Sequence, residues 1–312
     1  MFLREQTLAA EILGRPRDHA METMITGYVA EAEDLARRTP SIRFHDEPEP
    51  GEDAEEKAPE GHGRTERQEQ RLHVVEGDLL LDDDELVVYA ARNAPRPLIP
   101  NAPLGDTGLV GFEMDGQATR WDEGIVLRYS VMRKSFLSDV QYRLVVRNLR
   151  RAATDWERVC GVRFEHVERF DDHDDVSRPA PEIHDDLVFT ARFQDQGGRL
   201  IAAAFFPTQP PARRKVVFDP SYFRTGLRFN RVGVLRHELG HVLGFRHEHI
   251  RSGAPATCPG DVEDVTLFPF GDYDPKSVMH YFCGGVGNPR LTFSAGDRKG
   301  AQQLYGPPVS TR

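Results

Sequence analysis

The stretch R-H-E-L-G-H-V-L-G-F-R-H-E-H, residues 236–249, contains histidines whose spacing predicts a helix, a turn and a metal site. On a helix, His237 and His241 lie one turn apart on the same face, so their ring nitrogens can bind one metal ion. Gly244 can adopt the left-handed conformation that ends a helix, which lets the chain turn back and bring His247 to the same ion. Three histidine ligands with an open fourth position are typical of a catalytic zinc site.

Glu238 directly follows the first histidine, where its carboxylate can reach a water molecule on the metal without being a ligand. The full spacing H-E-x-x-H-x-x-G-x-x-H is far more specific than H-E-x-x-H alone, because two further positions must also match. We therefore expect one catalytic Zn²⁺ ion that lowers the pKa of its water toward about 7, with Glu238 as the general base. The alternative from another functional class is a catalytically silent, zinc-stabilised protein-binding module, which would need the histidines but not Glu238.

A second motif, S-V-M-H-Y, follows at residues 277–281. The extended histidine motif followed by a methionine turn is the metzincin pattern. Within that clan the sequence most resembles the astacins, whose motif continues as G-F-x-H-E and whose turn reads S-x-M-H-Y. The resemblance implies that Met279 forms an apolar floor under the zinc and that Tyr281 alternates between zinc ligand and stabiliser of the tetrahedral intermediate. It also implies that Glu248 anchors the mature N-terminus; a packed aromatic at Tyr281 and an exposed Glu248 are the alternatives.

The resemblance implies an α+β fold: a metzincin-like catalytic domain with a twisted mixed sheet, a long backing helix, a zinc-binding active-site helix, a Met-turn and a C-terminal helix. Ser138 is expected to cap the backing helix, Asn230 the zinc helix, and Ser294 with Asp297 the last helix. The apolar face of the backing helix is predicted at Val140, Leu144, Val145, Leu149, Ala152 and Trp156. Strands are predicted at 121–131, 162–168, 186–192, 200–207 and 215–219.

Before this domain the composition changes several times along the chain. We predict an N-terminal helical segment at 1–44, an acidic flexible linker at 45–70, a propeptide-like segment with its connector at 71–117, and the metzincin zinc peptidase domain at 118–308. Within the third segment, the apolar runs between Leu72 and Ala90 are separated by acidic residues at Asp82–Asp84 and are expected to form a pair of strands.

The segment V-E-G-D at Val75–Asp78 resembles the F-x-G-D segment of astacin propeptides, although Val75 replaces the phenylalanine. In that family the aspartate ligates the catalytic zinc and keeps the enzyme latent as a zymogen. Asp78 is therefore a candidate latency ligand, since a carboxylate binds zinc well and the preceding glycine lets the backbone approach closely. The alternative is an ordinary turn in a small hairpin.

Composition limits the partners of this 312-residue chain. A net charge of -10 disfavours nucleic acid, and no stretch is long and apolar enough for a membrane span. A protein or peptide substrate and a monomeric state are expected. Because no signal peptide is recognisable, we expect a cytoplasmic protein, export by a non-classical route, or a start that omits the leader. The excess of arginine over lysine suggests a bacterial genome.

Two smaller features leave alternatives open. Cys258 and Cys283 flank the methionine turn and could pair in an oxidising compartment, which would leave Cys160 free. Astacin domains usually carry two disulfides, which three cysteines cannot supply. The acidic run F-D-D-H-D-D at Phe170–Asp175 suggests either a calcium site or a solvated loop, because it lacks the ligand spacing of a calcium loop.

The sequence thus predicts a zinc-dependent endopeptidase that hydrolyses peptide bonds. The segment Gly197–Pro207 resembles the metzincin edge strand that lines the cleft. Such an edge can pair its backbone with an extended peptide, so recognition would depend little on the substrate's side chains.

Overall fold

The computed structural model describes residues 30, 33–34, 36–38, 41–44, 70–75, 77–81, 83, 86–87, 89–90, 109–114, 117–173, 187–258 and 267–309. The chain divides into two compact units: Met1–Val74 with Leu81–Ala91, and Val75–Leu80 with Arg92–Arg312. The four predicted segments, with boundaries at 44, 70 and 117, stay predictions. In the described part of the chain no helix has the length and apolar character needed to cross a membrane.

The first unit contains one strand in the segment that was predicted to be helical. Residues 30, 33–34 and 36–38 are helical, as predicted, but Ser41–Phe44 forms strand β1 and pairs antiparallel with β2, Gln70–Val75. The described helical residues of this segment thus end at 38, before β1. The acidic linker predicted at 45–70 lies outside the described residues except for its last position.

The predicted pair of strands between Leu72 and Ala90 is wrong in its second half. The chain turns at Gly77–Asp78, and β3, Leu79–Leu81, completes a sheet of order β1-β2-β3. The residues described beyond it are helical, and their buried side chains are Leu86, Val87, Tyr89 and Ala90. The last three follow Leu86 by one, three and four residues, which is the spacing of one face of a helix, whereas buried and exposed residues would alternate along a half-buried strand.

The second unit is built on a mixed five-stranded sheet, which confirms the predicted α+β class. Its strands are β6 (Val126–Val131), β7 (Arg163–His166), β8 (Phe189–Phe193), β9 (Ala202–Ala203) and β10 (Lys215–Phe218), in the order β7-β6-β8-β10-β9. The first four in this order run parallel, and β9 pairs antiparallel with β10 at the edge. The strand predicted at 200–207 is thus reduced to two residues. A smaller antiparallel sheet of order β11-β4-β5 joins β11 (Leu267–Pro269), β4 (Val110–Met114) and β5 (Gln117–Ala118).

The long backing helix is α1, Asp139–Glu157. Ser138 caps it, since its side chain accepts a hydrogen bond from Gln141 N. Val140 is 69% exposed, which corrects its place on the predicted apolar face. Two residues correspond to about 200° around a helix, so Val140 points away from the buried Tyr142. The buried positions are Tyr142, Val145, Asn148, Leu149, Ala152, Ala153 and Trp156.

The other two described α-helices of this unit begin and end as their capping residues predict. Helix α2 runs from Arg231 to Val242, and the side chain of Asn230 accepts a hydrogen bond from Gly233 N. Gly244 follows with a φ of 92°, the left-handed conformation that lets the chain leave the helix. Helix α3, Ala295–Tyr305, begins at the predicted capping box of Ser294 and Asp297.

The hydrophobic core packs α1 and α2 together. Trp156 of α1 donates a hydrogen bond from Nε1 to the carbonyl oxygen of Arg236 at 2.8 Å and stacks on Phe245 with ring centroids 5.7 Å apart. Gly240 of α2 has no room for a Cβ against Met279 Sδ, so the Met-turn approaches the helix directly. The backing helix thereby fixes the helix that carries the first two histidines.

A buried carboxylate joins the sheet to α1 at Asp171. Its Oδ1 accepts hydrogen bonds from Ser130 Oγ and Val131 N, both at 2.9 Å, and its Oδ2 accepts one from Tyr142 Oη at 2.6 Å. His166 Nε2 lies 2.9 Å from Oδ2. Asp171 thus binds protein donors, while the calcium hypothesis for residues 170–175 stays a prediction because 174 and 175 lie outside the described residues.

Candidate metal centre and active site

Helix α2 and the turn after it bring the three predicted histidines together. His247 Nε2 lies 3.0 Å from His237 Nε2 and 3.1 Å from His241 Nε2. Asp78 completes the group, and the four ligand atoms lie within 4.8 Å of one another in buried positions. A tetrahedron with zinc–nitrogen bonds of 2.0–2.1 Å has edges of about 3.3 Å, close to these separations.

Hydrogen bonds determine which ring nitrogens face the centre. His237 Nδ1 lies 2.8 Å from the carbonyl oxygen of Val278, and His241 Nδ1 lies 2.8 Å from that of Phe245. A carbonyl oxygen only accepts, so both Nδ1 atoms carry the proton and both Nε2 atoms present lone pairs. Nitrogen lone pairs that point at one another cannot form a hydrogen bond, but together they can bind a cation. The donor set therefore fits zinc.

The Asp78 carboxylate points at the same place. Its Oδ1 lies 3.0 Å from His247 Nε2 and its Oδ2 lies 3.3 Å from His237 Nε2. Burial raises the pKa of Asp78, but its close contacts with His247, His237 and His241 outweigh burial and hold that pKa well below its usual range. Asp78 is therefore an anion among nitrogen ligands.

The backbone around Asp78 is placed by two contacts. Its carbonyl oxygen accepts a hydrogen bond from Ala204 N at 3.3 Å, just beyond the edge strand β9. Gly77 has a φ of +98°, and a Cβ there would come within 2.6 Å of Tyr281 Oη. Only glycine combines this conformation with this close approach.

Glu238 lies beside the metal centre and is 2% exposed. Among the described residues no donor bonds to its buried Oε2. Burial, followed by the charge of Asp78, raises the pKa of Glu238 well above its ordinary value. A buried carboxylate with an orphaned oxygen and a raised pKa is suited to accept a proton.

The Met-turn residues surround the same histidines. Met279 is fully buried against α2 at Gly240. The Tyr281 ring lies 4.6 Å from the ring of His247 and stacks on His249 at 4.2 Å. Met279 and Tyr281 thus both lie beside the histidines, and their predicted roles stay predictions.

Glu248 is buried and engaged by neighbouring donors. Its Oε1 accepts hydrogen bonds from Arg251 Nη1 at 2.8 Å and from Asp274 N at 2.7 Å. Burial raises the pKa of Glu248 to about 8 against the lowering effect of Arg251. The alternative of an exposed side chain is therefore wrong, and the anchoring role stays a prediction.

One supporting residue was missed by sequence reasoning. Asp297 was recognised only as a helix cap, yet its carboxylate also accepts hydrogen bonds from Ser277 Oγ at 2.6 Å and Val278 N at 2.8 Å. The carbonyl of Val278 is the acceptor for His237, so the backbone of this one residue connects the start of α3 to a histidine of the centre. No local signal in the sequence could show this contact, because Asp297 lies 60 residues beyond the histidine.

A cavity of about 360 Å³ opens beside Glu238 and Tyr281. Its walls come from the loop before β9, from α2 and from the chain after the Met-turn. They include Arg199, Leu200, Phe229, Val234, Phe282 and Leu291. A largely apolar cavity next to the reacting groups is suited to a substrate side chain.

Comparison with known proteins agrees with this geometry. Residues 120–254 match the family model Peptidase_M10, described as Matrixin, which is a metzincin family. The fold and the arrangement of the site agree with this match to a metzincin family. The matched span includes the three histidines and Glu238 but ends before the Met-turn.

At the level of a single relative, the chain is similar to zinc metalloproteinase nas-3 of Caenorhabditis elegans. The two are 33% identical over 100 residues, which is 29% of this chain and 33% of the relative. The chain thus matches about one third of that protein's length. This likeness supports an astacin-like subtype only loosely.

Proposed function

We propose that this chain is an astacin-like zinc endopeptidase in which Glu238 is the general base and Asp78 holds the enzyme latent. The observation that carries the proposal is the convergence of the three histidine Nε2 atoms, 3.0–3.1 Å from His247 to the other two, beside the orphaned carboxylate oxygen of Glu238. A zinc-stabilised binding module would need the histidines but not this carboxylate.

Zinc held by His237, His241 and His247 would supply Lewis acidity toward water and a peptide carbonyl. Glu238 Oε2 takes the proton from the attacking water and returns it to the leaving amine, and the burial that raises its pKa favours its accepting that proton. The Tyr281 ring lies 4.6 Å from the ring of His247, and its Oη would donate a hydrogen bond to the oxygen on which charge develops. Met279 closes the apolar floor beneath them.

The segment Val75–Leu80 supports latency because it lies where substrate would bind. The carbonyl oxygen of Asp78 accepts from Ala204 N beside β9, the edge with which an extended peptide would pair. Gly77 lies against Tyr281 Oη, and the Asp78 carboxylate fills the position facing the three histidines. Removing or displacing this segment would expose the cleft.

Glu248 would anchor the N-terminus of the mature enzyme. Its Oε2 is buried and receives no hydrogen bond from the described residues, whereas Oε1 is already bound by Arg251 and Asp274. An incoming ammonium group would complete the hydrogen bonding of this carboxylate.

Substitution Glu238→Gln, made in the full-length Asp78→Ala chain, tests the catalytic role. We expect peptide cleavage to fall by about 10²- to 10⁴-fold while zinc stays bound, since the amide cannot accept the proton but leaves the histidines in place. Cleavage of a fluorogenic peptide and zinc content are measured together, with the exposed Glu123→Gln as the matched control. Undiminished cleavage by the Glu238 variant would contradict the assignment, and no cleavage by any zinc-loaded form would favour the binding module.

Substitution Asp78→Ala in the full-length chain tests latency. We expect at least about a tenfold gain in cleavage, because the cleft loses the carboxylate that binds at its centre. The exposed Asp122→Ala is the control and should leave the rate unchanged. Equal rates for wild type and the Asp78 variant would exclude Asp78 as the latency ligand.

A further inference from the structure

Cys258 and Cys283 form a disulfide next to the candidate active site. Cys283 follows Tyr281 by two residues and lines the same cavity as Glu238. Both cysteines are partly exposed, whereas Cys160 is buried and burial raises the pKa of its thiol to about 12. The disulfide is therefore accessible to a reductant, and the buried Cys160 thiol lies apart from it.

The disulfide fastens one wall of the cavity, residues 281–287, which we term the wall segment. The wall segment packs closely on the loop that carries Cys258, since a Cβ on Gly284 would collide with Pro255. Within the wall segment Val286 N donates to Cys283 O at 3.0 Å, and Gly287 N donates to Pro275 O at 3.0 Å. Cys283 is thus linked by a backbone hydrogen bond to Val286, near the end of the segment that Gly287 fastens to Pro275.

The loop at residues 251–258 provides the anchor on the other side. Arg251 Nη1 binds Glu248, the residue after the third histidine, and Arg251 Nη2 donates to the carbonyl oxygen of Gly271 at 2.7 Å. Two backbone hydrogen bonds, from Ala254 N to Arg251 O and from Cys258 N to Pro255 O, stay within the loop. The disulfide therefore joins the wall segment covalently to the chain that leaves the metal centre.

We propose that the Cys258–Cys283 disulfide is a redox-sensitive tie that determines how tightly the wall segment closes the substrate cavity. Two thiol groups of a reductant supply two electrons and two protons: the S–S bond breaks, two cysteine thiols form, and the reductant becomes a disulfide. The freed wall segment carries Phe282 away from the cavity, so substrate binds more weakly. This inference rests on the proposed function and adds its regulation.

Hydrogen exchange in zinc-loaded, full-length protein tests the tie without relying on activity. After reduction by a phosphine that is then removed, we expect the amides of Val286 and Gly287 to exchange at least about tenfold faster. The amides of α3 should exchange at unchanged rates. Equal exchange in the wall segment before and after reduction would overturn the proposal, as would faster exchange throughout the domain.

Cleavage kinetics test the consequence for substrate, in the full-length Asp78→Ala chain. The double substitution Cys258→Ser and Cys283→Ser should raise KM about three- to tenfold with zinc content unchanged, and reduction should have no further effect. The control Cys160→Ser should keep the full response to reduction. An unchanged KM in the double variant would overturn the proposal.

The two hypotheses fail in different ways. No cleavage by any form would refute the proposed function, and the exchange measurement alone would then decide whether the disulfide holds the wall segment. Cleavage that is equal in oxidised, reduced and double-serine forms would refute the tie and leave the proposed function standing.

Discussion

Gly77 shows how much of the proposed latency depends on one residue. Its φ of +98° is unfavourable for any residue with a side chain, and a Cβ would lie 2.6 Å from Tyr281 Oη. We predict that Gly77→Ala moves Asp78 out of the centre and raises cleavage by the full-length chain toward that of Asp78→Ala. The measurement is the initial rate on a fluorogenic peptide.

Gly124→Ala is the matched control for this substitution. Gly124 also has a positive φ, +79°, but no other atom lies within 4 Å of the position a Cβ would take. It therefore reproduces the backbone strain, roughly 1–2 kcal/mol, without the contact. Activation by both variants, or by neither, would contradict a specific role for Gly77.

The metal ligands illustrate what single residues reveal in a sequence. His237, His241 and His247 were recognisable because their spacing alone brings them together once a helix and a glycine turn form. The acceptors of their Nδ1 protons were not recognisable. They are backbone carbonyls of Val278 and Phe245, and a carbonyl leaves no mark in the sequence.

Among the elements, Asp171 is the side chain that joins strand β6 to helix α1. Burial raises the pKa of Asp171, but hydrogen bonds from His166, Tyr142 and Val131 outweigh it and lower the pKa below 3.8. A carboxyl group whose pKa is lower in the folded than in the unfolded protein stabilises the fold at pH values above its unfolded-state pKa. This stabilisation is lost as the pH falls through the folded-state pKa. It is therefore lost only below about pH 4.

We predict that Asp171→Asn lowers the free energy of unfolding by about 1–3 kcal/mol at pH 7. The difference in unfolding free energy between the variant and wild type should narrow as the pH falls below about 4, because protonation of Asp171 then weakens the wild-type hydrogen bonds as well. Urea unfolding of full-length protein at several pH values measures this. The neighbour Asp172, whose side chain is 66% exposed, gives the control Asp172→Asn. A loss that is equal for both variants, or constant with pH, would refute the prediction.

The elements themselves were predictable to different degrees. Helices α1, α2 and α3 begin at the predicted caps because capping is a contact between residues two or three positions apart. The second strand expected near Leu86 was wrong because a short apolar run suits a strand or a helix equally well. The edge strand was located correctly but shortened, since a strand's length depends on its distant partner, here β10.

For the whole molecule, metal binding should be coupled to stability. The lone pairs of the buried histidine nitrogens point toward one position, where a metal ion would bind. A ligand that binds only the folded state stabilises it by RT ln(1 + [L]/Kd). We predict that chelation lowers the melting temperature. Where free zinc had been 1,000 times its Kd, the folded state loses about 4 kcal/mol of stability. Calorimetry of the full chain before and after chelation measures the shift.

His241→Ala is the variant that tests the source of this shift. It should melt at one temperature whether or not chelator is present, because the site has lost a ligand. For the chelated wild-type protein, adding back zinc, but not magnesium, should restore the original melting temperature, since imidazole ligands favour zinc. A wild-type melting temperature that ignores chelation would count against a zinc centre.

By itself, the sequence determined the zinc-site spacing, the helix caps, the Met-turn and the metzincin resemblance, all of which depend on residues close together in the chain or on one continuous motif. Only the tertiary structure decided that Asp78 meets His247 from 169 positions away, that Asp171 joins the sheet to α1, and that Asp297 reaches the Met-turn. The physical reason is range. Helical periodicity and turn conformations set local geometry residue by residue, whereas distant side chains meet only after the intervening chain has packed into a core.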